Sequence, residues 1–118
     1  MIGDTIAAVS TPPGKGGVAL LRVSGPGTLQ VLGAVFRTGA GKALSDPEPR
    51  RAYYGTIRTP GEEEMIDDGI AVFYPAPHSF TGEDVAEITC HGGVLVTRTV
   101  LCALLCAGAR QAEAGEFT

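Results

Sequence analysis

The chain has little positive charge. Nine lysines and arginines stand against thirteen aspartates and glutamates, a formal net charge of −4. A phosphate backbone is gripped by a clustered basic surface, so this chain alone is expected to bind nucleic acid poorly. No apolar run reaches the roughly 18 residues of a membrane span, and no membrane partner is expected. The start, MIGDTIAAVSTPP, lacks the basic and long apolar regions of a secretory leader, which makes a cytoplasmic address the expectation. The three cysteines are too few and odd in number for a disulfide framework. Cys102 and Cys106, inside the apolar stretch VLVTRTVLCALLCAGA, read as buried, reduced thiols, and no two further ligands stand near them to complete a metal site. Internal repeats and strict strand–helix–strand alternation are also missing.

What remains is ordinary globular material. The 118 residues are 44% hydrophobic and 19% charged, enough for one domain over residues 1–118, and 17 glycines with 8 prolines promise many turns. Residues 5–10 (TIAAVS) and 18–24 (VALLRVS) read as strands separated by a glycine–proline loop. PGTLQVLGAVF carries Leu29, Leu32, Val35 and Phe36 at helical spacing, with Gly33 as a weak point. Residues 37–50 read as a small-residue loop too poor in apolar groups to pack. Residues 51–58 and 66–74 suggest an antiparallel hairpin with a wide tip around PGEEE. VAEITCH has strand alternation, placing Val85, Glu87, Thr89 and His91 on one face and Ala86, Ile88 and Cys90 on the core face. From Val94 to Cys106 the chain is apolar nearly all round, as in a helix buried on most sides, with Gly108 placed for its C-cap. The sum is an α+β fold: a mixed, mostly antiparallel sheet of about five strands covered by helices.

Four features carry chemical interest. TPPGKGG, residues 11–17, is not a phosphate-binding P-loop, because Gly16 follows Lys15 where Ser or Thr must reach a magnesium ion, and a strand follows where a helix should. It reads instead as a turn lining a pocket or a subunit contact. Arg22 lies inside the apolar VALLRVS, where a guanidinium needs a partner. That partner is either an acid of the chain or an anionic or carbonyl-bearing ligand, and strand logic leaves both open. In SFTGEDVAEITCHGG, His91 with Glu83 or Asp84 suggests a general base, yet neither a nucleophile nor metal-ligand spacing accompanies it. Cys90 alternates away from His91, which argues against a thiol–imidazole dyad. Glu87 sits mid-strand between Ala86 and Ile88, on a face that is either solvated or filled by a ligand. Its carboxylate is suited to the paired donors of an amino-pyrimidine edge.

Taken together, DTIAAVSTPPGKGGVALLRVSGP, YYGTI, IDDGIAVFYPAPHSFTGEDVAEITCHGG and the terminal GEFT closely resemble the N-terminal domain of the MnmE (TrmE) family of tRNA-modification GTPases. The likeness covers nearly all the chain except 37–50. It implies a fold similar to folate-binding aminomethyltransferase domains, a homodimer, and a site for a tetrahydrofolate derivative (5-formyl- or methylene-tetrahydrofolate). The resemblance places Arg22 and Glu87 in that site as cofactor-binding residues and assigns no catalytic and no metal-ligating residue. In the family a helical domain with an inserted GTPase domain follows GEFT, and GTP, magnesium and potassium belong there. A further basic residue of the folate site falls beyond Thr118. With a flavin-dependent, MnmG-type partner, the full-length protein is expected to modify the wobble uridine of tRNA, while this stretch alone is not expected to be catalytic. The alternatives are a stand-alone folate-dependent transferase and a purely structural dimerisation module. Departures from the family pattern are Cys90 for a frequent glycine, Val94 for a frequent proline and Lys15 for the commoner arginine.

Overall fold

The computed structural model describes residues 4–11, 17–79 and 81–117. The element order is β1 (Ile6–Val9), β2 (Val18–Ser24), α1 (Thr28–Val35), β3 (Phe36–Thr38), β4 (Tyr53–Ile57), β5 (Asp67–Tyr74), β6 (Val85–His91), α2 (Val94–Cys106) and β7 (Arg110–Gln111). The strands form one sheet in the order β3-β4-β5-β6-β2-β1-β7. Every neighbouring pair is antiparallel except β1 with β7, which run parallel. The α+β class and the mostly antiparallel sheet match the sequence expectation. Among the described residues the strand count rises from about five to seven because β3 and β7, with only three and two residues, carry no hydrophobic pattern of their own.

Alternation along the long strands decides where the core sits. Successive side chains of a strand point to opposite faces. Leu21 and Val23 of β2, Ala86, Ile88 and Cys90 of β6, and Ala71 and Phe73 of β5 therefore share one face, and all are buried. Val31, Leu32 and Val35 of α1 and Val100, Ala103 and Leu104 of α2 join the same apolar cluster, so both helices pack on one side of the sheet.

Three expectations change here. Helix α2 is buried along a single stripe, Thr97, Val100, Ala103 and Leu104, and Leu95 on another side is 77% exposed. Apolar composition alone does not distinguish a helix enclosed on all sides from one that covers a sheet. Cys102 and Cys106 accordingly lie exposed, whereas Cys90 is buried, and burial lifts its thiol pKa to about 11. The stretch 37–50 does pack: its first residues form β3, and Leu44 and Pro47 are buried, with the Leu44 N–H donating to the Phe36 carbonyl at 3.0 Å.

Local chemistry fixes the ends. Gly108 takes a φ of +119° just beyond α2, the conformation that stops a helix at low cost. Gly55 and Gly69 face each other across β4 and β5. A Cβ on Gly55 would lie 2.0 Å from the Arg37 carbonyl oxygen, and one on Gly69 would lie 2.1 Å from that of Thr89. Bare backbone at this pair lets the flanking strands β3 and β6 press in where any side chain would collide. At the far edge, Arg110 N–H donates to the Thr5 carbonyl and Ala112 N–H to that of Ala7, each at 2.9 Å. The Arg110 side chain adds ion pairs to Asp4, at 2.9 Å, and to Glu116.

Candidate functional site

With both helices on one side, the other face of the sheet is open. Arg22 and Glu87 both project there, from directly paired positions of β2 and β6. Arg22 Nε donates to Glu87 Oε2 at 2.8 Å, and the two side chains are 25% and 22% exposed. The internal partner for Arg22 that the sequence allowed is therefore present, yet the pair is not sealed in a core. Tyr74 of β5 shares the neighbourhood: burial raises its hydroxyl pKa first, and the Glu87 charge and hydrogen bond raise it further.

Beside the pair lies a cleft of about 380 Å³, bounded by Ala8 to Ser10, Arg22 and the segment from Ala112 to Phe117. A second groove of about 380 Å³ runs along the helix side of β1, lined by Val9, Val94, Leu101, Arg98 and Gln111. It contains neither Arg22 nor Glu87, whereas Arg22 lines the first cleft, so the guanidinium and not apolar capacity singles that cleft out.

The segments that looked distinctive in sequence converge on this region. Ser24, closing β2, shares a hydrogen bond of 2.8 Å with Thr81, and the Asp84 carbonyl accepts the Gly25 N–H at 3.0 Å and the Thr28 hydroxyl at 3.1 Å. The loop before β6 is thus locked onto the end of β2, which fixes the relative height of Glu87 and Arg22. Asp84 Oδ1 caps the Ala76 N–H at 2.9 Å, a structural task. Residues 12–16, including Lys15, lie outside the described residues, and only their flanks can be followed. Thr11 Oγ1 accepts the Leu20 N–H at 3.2 Å, and the Gly17 carbonyl accepts that of Gly92 at 3.2 Å.

His91 does not meet Glu83 or Asp84. Its partners come from β5: Nδ1 lies 2.9 Å from both Asp67 carboxylate oxygens, and its backbone N–H donates to Asp67 Oδ2 at 2.9 Å. Burial pushes the Asp67 carboxyl up, but the His91 backbone and ring donors and the Asp68 N–H outweigh it and hold it below the usual value. The same hydrogen bond and charge raise the His91 imidazole. Cys90 is turned into the core as the alternation required, away from this pair. Nothing in the local sequence spacing joined Asp67 to His91, because strand register brings them together across 24 residues.

The open face also carries apolar side chains. Val18, Tyr54 and Ile70 are 58%, 64% and 43% exposed.

Residues 5–118 match the family model described as "GTP-binding protein TrmE N-terminus". The chain belongs to the TrmE N-terminal family. Three relatives named "tRNA modification GTPase MnmE" illustrate the likeness. The one from Heliobacterium modesticaldum is 51% identical over 118 residues, covering 100% of this chain and 25% of that protein. Those from Geobacter sulfurreducens and Thermotoga maritima are 50% and 48% identical over 117 and 115 residues, covering 99% and 98% of this chain and 25% and 24% of theirs. This TrmE-type chain thus spans about a quarter of the length of the relatives it matches.

Proposed function

We propose that this chain is the tetrahydrofolate-binding and self-associating module of a tRNA-modifying GTPase, acting in the cytoplasm. The Arg22–Glu87 pair carries the reading: it is an ion pair set mid-sheet at the rim of a cleft, and it keeps contact with solvent. A carboxylate there accepts the parallel N–H donors of a pterin, and a guanidinium pairs with a carbonyl or carboxylate of the same molecule. The one-carbon unit, carried as a 5-formyl or methylene group, is the cofactor's contribution. The chain's own task is to hold and orient it. GTP binding and hydrolysis, with magnesium and potassium, are assigned to regions that the longer relatives carry, as are the contacts with tRNA and with a flavin-dependent partner. Exposed Val18, Tyr54 and Ile70 support homodimer formation through the open face, since apolar side chains gathered on one surface favour burial against a second copy.

One observation favours a second reading. Arg22 and Glu87 already neutralise each other, as they would in a purely structural dimerisation module. Calorimetry with 5-formyl-tetrahydrofolate separates the two. On the first reading Glu87→Gln or Arg22→Ala lowers affinity tenfold or more, about 1.4 kcal/mol, while sedimentation shows the dimer intact. An unmodified chain that dimerises yet gives no heat at high protein concentration would leave only the structural role.

A further inference from the structure

The Asp67–His91 contact lies at the opposite end of β6 from Glu87, four residues along the strand and so about 13 Å away, and the folate reading makes no use of it. One carboxylate would satisfy one imidazole. Here there are two: Asp68 Oδ1 also lies 3.8 Å from His91 Nδ1. Consecutive residues of a strand should point to opposite faces, yet Asp67 and Asp68, at the very start of β5, both bring an oxygen to the same ring nitrogen. Donor atoms of the three residues all fall within 4.8 Å of one another. Two anionic oxygens held this close repel each other, and one imidazole offers only one proton at Nδ1 to set between them.

We propose that Asp67, Asp68 and His91 form a binding site for a divalent transition-metal ion of the zinc, cobalt or manganese class. The donor separations suit such an ion. Ligands bonded at about 2.1 Å stand about 3.0 Å apart on an octahedral edge and about 3.4 Å apart on a tetrahedral one, and the observed 2.9 and 3.8 Å bracket those values. One imidazole nitrogen with two carboxylate oxygens is a borderline donor set, softer than calcium prefers and harder than copper(I) prefers. On binding, the ion takes the place of the proton between Nδ1 and Asp67, and that proton leaves to solvent. A supporting shell is already in place. The His91 backbone N–H fixes Asp67, and the Tyr54 hydroxyl donates to Asp68, the arrangement that orients metal ligands in known sites. Among the described residues the strands supply three ligands. The remaining coordination positions open onto a hollow of about 190 Å³ bordered by Tyr54, Ile70 and Thr89, where water or an oxygen-bearing ligand completes the shell.

The test is titration of the reduced, chelator-treated chain with Co²⁺ followed by its visible absorption, and with Zn²⁺ by calorimetry. One ion per chain should bind, and Asp67→Asn and His91→Ala should each weaken binding at least tenfold. A Cys102→Ser/Cys106→Ser double variant should bind as the parent does. If binding instead disappears with the two exposed thiols and survives His91→Ala, the site is theirs and the proposal is wrong. NMR of the unsubstituted chain provides a readout that does not depend on any variant folding. Mn²⁺ should broaden the His91 ring resonances at concentrations that leave His78, the other histidine, unchanged. Equal broadening of both, or of neither, overturns the assignment.

Discussion

Val23 and Val18 are the same residue type on the same strand, one on each face of the sheet. Val23 is 1% exposed beneath the helices, and Val18 is 58% exposed on the open side. The difference extends across the sheet. Beneath α1 and α2 the central strands contribute Leu21, Val23, Ala71, Phe73, Ala86 and Ile88, apolar side chains held by packing. On the open side polar groups are matched strand to strand: Arg22 to Glu87, His91 to Asp67, Tyr54 to Asp68. One face is stabilised by exclusion of water and the other by pairing, so the first can vary only in shape, whereas the second can exchange its partners for a ligand. That is the physical reason to look for function on the open side.

Val23→Ala should give the largest loss in stability, roughly 2–3 kcal/mol, since two buried methyl groups are removed and a cavity remains. Urea unfolding measures it, and a loss below about 0.5 kcal/mol would mean the covered face is not a tightly packed layer. The next effect is acidic. Arg110 and the Glu113 backbone N–H hold the Glu116 carboxyl at about 2, below its ordinary 4.5. A carboxyl depressed on folding stabilises fully above its unfolded pKa and loses that contribution as pH falls through its folded value. The melting temperature of the parent should therefore drop between about pH 4.5 and 2 more steeply than that of Glu116→Gln. Identical slopes would show that the Arg110 contact has no hold on the folded state. The smallest effect belongs to Val18→Ala, within about 0.5 kcal/mol of the parent when the same urea experiment is run at a concentration where sedimentation shows single chains. A larger cost there would mean that Val18 packs within the chain itself and is not a residue free to meet a second copy.

Much of this contrast can be read from the sequence and some of it cannot. VAEITCH declares both faces of β6 by simple alternation, and RRAYYGTIR with IDDGIAVFY declares the β4–β5 hairpin. Arg22 and Glu87 stand out as charges among aliphatic neighbours, so each is visible as an anomaly. Their pairing with each other depends on register and is not. The same holds for Asp67 with His91, where local spacing points to Glu83 and Asp84, residues of the loop before β6. Helix α2 departs from its sequence pattern because Val94, Leu95, Cys102 and Cys106 look like core residues in a linear string and lie outside the buried stripe only once the helix is set on the sheet. β7 could not be anticipated at all, since two polar residues become a strand only when β1 is there to receive them.

That last strand has a consequence for how the molecule assembles. Arg110 meets Asp4 across 106 residues of chain, so the contact that covers the outer side of β1 also closes a loop that contains every strand from β1 to β6. Loop closure is entropically costly until the intervening structure has shortened the path. β1 must therefore wait for the segment that follows α2 before its outer side is paired, and until then it presents an unprotected row of hydrogen-bonding groups to any neighbouring molecule.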